Sequence, residues 1–223
     1  MNNRAATRNG TDGERHQAIV IGGGQSGLAA GHHLAKRGIE FLILEANDHI
    51  GDTWRTRWDS LKLYSPARYD GLPGLPFPAP RTSYPSGRQM GEYLESYAVH
   101  EKLPIRTGVR VERVRVADEG GYVVETDGQR VEADEVVVAT GAFQHPHVPD
   151  FTSALDPGIR QVHSSDYRGP SQLAEGPVLV VGVSHSGADV AYESARAGHR
   201  THLSGKAHGQ LPFSVDSRRG RFA

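Results

Sequence analysis

Residues 17–45, QAIVIGGGQSGLAAGHHLAKRGIEFLILE, constrain the fold more than any other stretch of the chain. A short apolar run ends in glycines, an alanine-rich amphipathic segment follows, and a second β-rich run, EFLILE, closes the unit. This order predicts strand, tight turn, helix and strand within about 30 residues, the βαβ unit. Its glycines are spaced Gly22-x-Gly24-x-x-Gly27. The first suits the tight turn, the second lets backbone approach a pyrophosphate, and the third allows close packing of helix on strand. Gln25 and Ser26 open the helix, whose first N–H groups are unpaired and carry partial positive charge suited to phosphates. Glu45 ends the second strand about 20 residues on, where a carboxylate accepts hydrogen bonds from ribose hydroxyls. It also repels a 2′-phosphate, so FAD or NAD fits this loop and NADP does not.

The opening pattern returns between Pro177 and Gly205. A strand at 178–182, a glycine-poor turn, a helix to about Ala197, a stop at Gly198 and a strand HRTHLSG are predicted there. The loop reads Gly182-x-Ser184-x-x-Gly187, which keeps the turn and packing glycines. Ser184 adds a Cβ and a hydroxyl where backbone meets pyrophosphate; the Cβ hinders close approach and the hydroxyl can donate to a phosphate oxygen. Between the two units, 46–91 holds too much proline and glycine for a long helix or central strand and is expected as a structured loop region. A helix is predicted from Gly91 to before Pro104, with Tyr93, Leu94, Tyr97 and Ala98 on one face. VRVERVRV, GYVVETDG and QRVEADEVVVAT then predict an antiparallel meander whose last strand is buried at Val136 to Ala139. GAFQHPHVPDF reads as a linker, and Pro146 between two histidines makes a metal site less favoured than a connecting segment.

Composition narrows the partners. The 25 Lys and Arg residues nearly balance 26 Asp and Glu, for a net charge of −1, so no basic field invites nucleic acid or an anionic membrane. Small molecules are the expected partners. Residues 1–15 are polar without the apolar core of a signal peptide, and no apolar run reaches about 18 residues, so a soluble, cytoplasmic protein is expected. The chain contains no cysteine, which removes disulfide scaffolds, thiolate metal sites and thiol redox catalysis together.

From Gln17 to Lys206 the sequence resembles the flavin-containing monooxygenases built on two dinucleotide-binding domains, a family that includes YUCCA-like and Baeyer–Villiger branches. The resemblance rests on Gly22 to Leu28, Glu45, GDTW at 51–54, DSLKLYSP at 59–66, TGV at 107–109, ATG at 139–141, VHSSDY at 162–167 and the second glycine loop. It implies that Thr53 and Trp54 lie beside the flavin, that Val109 holds the adenine through its backbone, and that Thr140 and Gly141 mark the crossover between domains. A tryptophan set among glycine and charged residues independently favours packing on a flat apolar partner, with ordinary core packing as the competing reading. Tyr64 and Ser65 fall where many animal-type members place an Asn-containing pair contacting the nicotinamide and the flavin. His185 and Ser186 stand at the helix start of the second loop, where the family usually has Asn at the first of these positions. Ser204 and Lys206 resemble the family's Ser-x-Arg clamp for an NADP 2′-phosphate, and a cation there favours that phosphate. His163 and Tyr167 match part of the Baeyer–Villiger fingerprint while Pro157 and Ile159 depart from it, and a hydrogen-bonding linker histidine is an equal reading of His163.

The expected fold is α/β: a Rossmann-like FAD-binding βαβ domain with an antiparallel meander, followed by the start of a second Rossmann-like, NADPH-binding domain. The expected divisions are a disordered tail at 1–15, the FAD domain at 16–145, a linker at 146–176 and a partial NADPH domain at 177–223. Residues 207–223 do not supply the remaining strands of that domain, so a truncated chain is expected. The resemblance implies FAD and NADPH as cofactors, and transfer of one oxygen from O2 to an N, S or ketone centre through a C4a-hydroperoxyflavin. Related disulfide reductases need a redox cysteine pair, which this chain lacks. An NADPH-dependent flavin oxidase and a non-catalytic FAD-binding remnant are the alternatives.

Overall fold

The computed structural model describes residues 13–206. Strand β1 (Glu14–Ile21), helix α1 (Gln25–Lys36) and strand β2 (Phe41–Leu44) form the expected first βαβ unit. β1 begins within the segment expected as tail: Glu14 pairs with Arg106 at 2.9 Å, and Arg15 reaches Glu132 and Asp134. The remainder of that tail, 1–12, lies outside the described residues.

Alternation along β1 and β2 sends side chains to both faces of the sheet. Ala18, Val20, Phe41 and Ile43 pack with Leu28 of α1, while Ile19, Ile21, Leu42 and Leu44 join Val124, Val131 and Ala133 on the other face. The first layer is completed by α3 (Gly87–His100), which buries Tyr93, Leu94, Tyr97 and Ala98 as its spacing predicts. Truncating one of these large buried residues to alanine costs about 2–5 kcal/mol. The helix starts four residues before the expected Gly91, because Ser86 and Gln89 form a reciprocal capping box, with Ser86 N–H donating to the Gln89 amide oxygen at 2.8 Å.

A short strand β3 (Ile105–Arg106) follows, then β4 (Val111–Val116), β5 (Tyr122–Thr126) and β6 (Gln129–Val138). The six-stranded sheet runs β3-β2-β1-β6-β5-β4. β3, β2, β1 and β6 are parallel, and β6-β5-β4 is the antiparallel meander. β6 therefore belongs to both parts. The burial expected for Val136 to Ala139 is not met: Val136, Val137 and Ala139 are half-buried and Val138 is 69% exposed, because β6 ends there at the carboxyl edge of the sheet.

The proline-rich segment contains one turn of helix, α2 (Asp52–Arg55), and a 3₁₀ turn at Ala67–Tyr69. It is structured because Ile50, Leu63, Ala67 and Phe77 bury into the first core. The second unit comprises β7 (Val178–Val181), α4 (His185–Arg196) and β8 (Thr201–Ser204), with β7 and β8 parallel in register from Val178/Thr201 to Val181/Ser204. Leu179, Val181 and Leu203 of this two-stranded sheet are exposed.

Candidate functional site: two nucleotide loops and the segment between them

At the first loop, Gly22 has φ +108°, and a Cβ there would lie 2.4 Å from the Ala139 carbonyl oxygen. A Cβ on Gly27 would lie 1.8 Å from the Gly22 carbonyl oxygen. Both glycines are therefore fixed by close backbone approach. Gly24 differs: with φ −76° and ψ −175° its backbone suits any residue, and an added Cβ meets nothing within 4 Å. That open space lies at the start of α1, where no side chain caps the helix. The buried Glu45 carboxylate accepts from Gly23 N–H at 2.6 Å and from the Asn47 backbone and side-chain amides at 2.8 and 2.6 Å. A carboxylate has about four acceptor positions, so capacity remains for a hydroxyl.

The second loop repeats this geometry. Gly182 has φ +113°, and a Cβ on Gly187 would lie 1.8 Å from the Gly182 carbonyl oxygen. Ser184 adopts φ −77° and ψ −177°, within 2° of Gly24 in each angle. Gly22 N–H donates to Leu44 at 2.8 Å and Gly182 N–H to Ser204 at 2.7 Å; Leu28 N–H donates to Gly24 and Ala188 N–H to Ser184, both at 2.9 Å. The serine is thus accommodated without backbone strain. Ser186 is half-buried, whereas Ser184, His185, Ser204 and Lys206 are all exposed.

The segment between the units meets both loops. The half-buried Trp54 indole donates to the Gln25 side chain at 3.3 Å, and Thr53, exposed, accepts from Asn47 at 3.4 Å. Tyr64 turns instead to the second unit: its ring is 4.5 Å from that of His185 and its phenol donates to Asp189 at 2.8 Å. Burial, reinforced by Asp189, pushes the Tyr64 phenol pKa up. Gln25 and His185 occupy matching positions in the two loops, and each touches an aromatic residue of this one segment. Ser65 donates to Asp70, whose buried carboxyl is pushed up by desolvation. Val109 N–H donates to the Glu45 carbonyl at 2.9 Å, which ties it beside the carboxylate. Thr140 and Gly141 are exposed at the carboxyl edge, Gly141 with φ +75° and open space around it.

Tyr167, named above only for its fingerprint match, joins the units together with Glu193, which sequence reasoning did not single out. Tyr167, almost fully buried against Trp58 and Leu61, donates to Glu193 at 3.0 Å, and Ser60 donates to the same carboxyl. Burial raises the Glu193 pKa, and nearby Asp189 and Asp59 add to it. His185, Asp189 and Glu193 recur at i, i+4 and i+8, a spacing that in isolation reads as a solvated helix face. His163 Nδ1 accepts the Ser165 N–H at 3.1 Å, the geometry of a hydrogen-bonding turn histidine, and His145 and His147 are exposed.

A family model described as pyridine nucleotide-disulphide oxidoreductase matches residues 19–217. The chain belongs to that family. Its kinship within this oxidoreductase family is with flavin-containing monooxygenases. It is 43% identical over 175 residues to an uncharacterized CzcO-like oxidoreductase of Geobacillus kaustophilus, covering 78% of this chain and 50% of the relative. It is 40% identical over 189 residues to the rice indole-3-pyruvate monooxygenase YUCCA1, covering 81% and 45%. The solved flavin-containing monooxygenase of Stenotrophomonas maltophilia superposes with a TM-score of 0.79 at 33% identity, covering 85% of this chain and 57% of that one. The chain spans about half the length of the curated relatives it matches. With no cysteine among its 223 residues, it lacks the thiols that the family's name refers to. No helix among the described residues is long and apolar enough to cross a membrane.

Proposed function

We propose that the chain carries both nucleotide sites of an FAD- and NADPH-dependent monooxygenase that places one oxygen atom of O2 on an N, S or ketone centre of a small organic substrate. The observation supporting this most directly is the pair of loops with matching backbone but opposite ends: a buried carboxylate at Glu45 and a hydroxyl and cation at Ser204 and Lys206. In this reading residues 16–145 form the FAD domain, 146–176 the linker and 177–223 part of the NADPH domain.

The open space above Gly24 and Gly141, beside uncapped helix N–H groups, fits a pyrophosphate. Gly22, Gly24, Gln25, Ser26 and Gly27 would cradle it, with Glu45 on the ribose and Val109 on the adenine. Thr53, Trp54, Tyr64, Ser65, Thr140 and Gly141 would border the flavin. Bound there, the flavin would supply hydride acceptance and oxygen chemistry that no side chain of this composition provides. Gly182, Ser184, His185, Ser186 and Gly187 would hold the NADPH phosphates, and Ser204 and Lys206 the 2′-phosphate. The residues' task is positioning and exclusion of water.

The test is spectroscopic. The purified chain with FAD should turn yellow, bleach with NADPH under argon, and in air transfer oxygen from isotopically labelled O2 to a product. A colourless protein after FAD addition would sink the reading; bleaching with full release of peroxide would favour the oxidase.

A further inference from the structure

Arg57, two residues past α2, is half-buried with its guanidinium 5.1 Å over the Phe143 ring. Among the described residues it has no hydrogen-bond acceptor and no carboxylate, so its five N–H donors are unspent. Arginines elsewhere that lack a carboxylate partner, such as Arg88, Arg110 and Arg160, are exposed to solvent, whereas Arg15 faces Glu132 and Asp134, Arg55 faces Asp52 and Glu95, Arg106 faces Glu14, and Arg115 faces Glu125. The neighbour of Arg57 is a second cation. Among the described residues Arg168 Nη1 donates only to the Ser165 and Tyr167 carbonyls, at 2.8 and 3.0 Å, and the two segments are tied where Asp59 N–H donates to the Arg168 carbonyl at 2.9 Å. Burial first, and repulsion by Arg168 second, lower the pKa of Arg57. A partly desolvated charge beside a like charge is a costly arrangement unless an anion completes it. Phe143, 77% exposed, and the exposed Val138 lie at the carboxyl edge of the sheet, the side on which ligands of open α/β sheets bind.

We propose that Arg57 and Arg168 form an oxyanion subsite at the carboxyl edge of the sheet, taking the carboxylate or phosphate of a small-molecule ligand whose apolar part lies on Phe143. As the substrate class of the proposed monooxygenase this rests on that reading; as an anion site it does not. A carboxylate would be received by the guanidinium fork, while a phosphate would come from the nicotinamide coenzyme.

Calorimetric titration of the 223-residue chain, with no turnover required, tests it with benzoate, neutral benzyl alcohol and NADP⁺ as probes. Benzoate should bind and benzyl alcohol should not, and Arg57→Gln should weaken benzoate about tenfold or more. Arg168→Gln should weaken it in the same direction, and Arg57→Lys should restore part of the affinity. Loss of NADP⁺ affinity with benzoate silent in all chains would assign the same subsite to the coenzyme phosphate. Equal affinity of the parent chain and the Arg57→Gln/Arg168→Gln double variant for both anions overturns the proposal. Thermal melting guards against misfolding: without anions Arg57→Gln should melt no lower than the parent, and added benzoate should raise the parent's midpoint alone.

Discussion

The Tyr64 phenol donates to the Asp189 carboxylate at 2.8 Å, joining the loop of the first unit to the helix of the second across 125 positions of sequence. Tyr64→Phe and Asp189→Asn each break this bond, while the first keeps the ring on His185. A hydrogen bond to a charged group contributes about 1.5–3 kcal/mol, reduced here because Tyr64 is 52% exposed. A coupling of about 1 kcal/mol is expected from a double-mutant cycle in urea. Additive losses would mean that the bond contributes nothing between the units.

Gly24 and Gly27 should separate binding from stability. A methyl at Gly27 collides with the Gly22 carbonyl at 1.8 Å, so Gly27→Ala must displace the strand-to-helix turn and should cost about 3 kcal/mol or more. A methyl at Gly24 projects into free space. Gly24→Ala should leave the thermal midpoint within a few degrees while FAD affinity falls about tenfold or more, read by flavin fluorescence. Equal stability of the two variants would contradict the close approach.

Alkaline pH should loosen the helix layer. Tyr97 donates to the Pro73 carbonyl at 2.7 Å, and burial, with Glu101 and Tyr93 adding, pushes its pKa from 10.0 up to about 12. The fold favours the neutral phenol, so its contribution is complete below about pH 10 and is lost as pH rises toward 12. Unfolding free energy should be level up to pH 10 and then fall. Tyr97→Phe should fall less steeply; an identical slope would assign the loss to the other buried phenols.

Much of this was legible because the determining residues act locally. Gly22, Gly27, Gly182 and Gly187 announce two strand-to-helix turns, and the alternation in β4 to β6 announces the meander. The start of α3 escapes the pattern because Gly87 looks like a loop residue, while the signal that decides it, Ser86 with Gln89, lies upstream of the apolar face. Val138 looked buried because β-branched runs usually are; whether a strand end is covered depends on the layers above it, which local pattern does not encode. The seam residues Asp189 and Glu193 carry no sequence signal for a related reason, and Tyr167 is marked only by a fingerprint match that says nothing of its partner on α4. Each is an ordinary tyrosine or acid until the chain brings positions 60–64 and 167 onto α4.

Ser184 is the residue whose effect on the coenzyme can be isolated. Its backbone matches Gly24 and its side chain makes no capping hydrogen bond, so Ser184→Gly removes only a Cβ and hydroxyl and should change stability by a few tenths of a kcal/mol. If the Cβ holds the pyrophosphate off the loop, NADPH should bind several-fold more tightly to the variant. Weaker binding would show that the hydroxyl is a phosphate donor.

In the proposed reading Lys206 sets the preference between NADPH and NADH. An exposed Lys contributes little against a single charge, about 0.2–1 kcal/mol, but a 2′-phosphate carries nearly two charges and Lys206→Glu reverses the sign as well as removing the attraction. The variant ends its unit with an acid, as Glu45 ends the first, and should lose about tenfold in the ratio of NADPH to NADH affinity, with NADH itself nearly unchanged. Lys206→Ala should fall between the parent and the charge reversal. Losing NADH and NADPH equally would place Lys206 on the pyrophosphate common to both, and the discrimination would then have to come from Ser204.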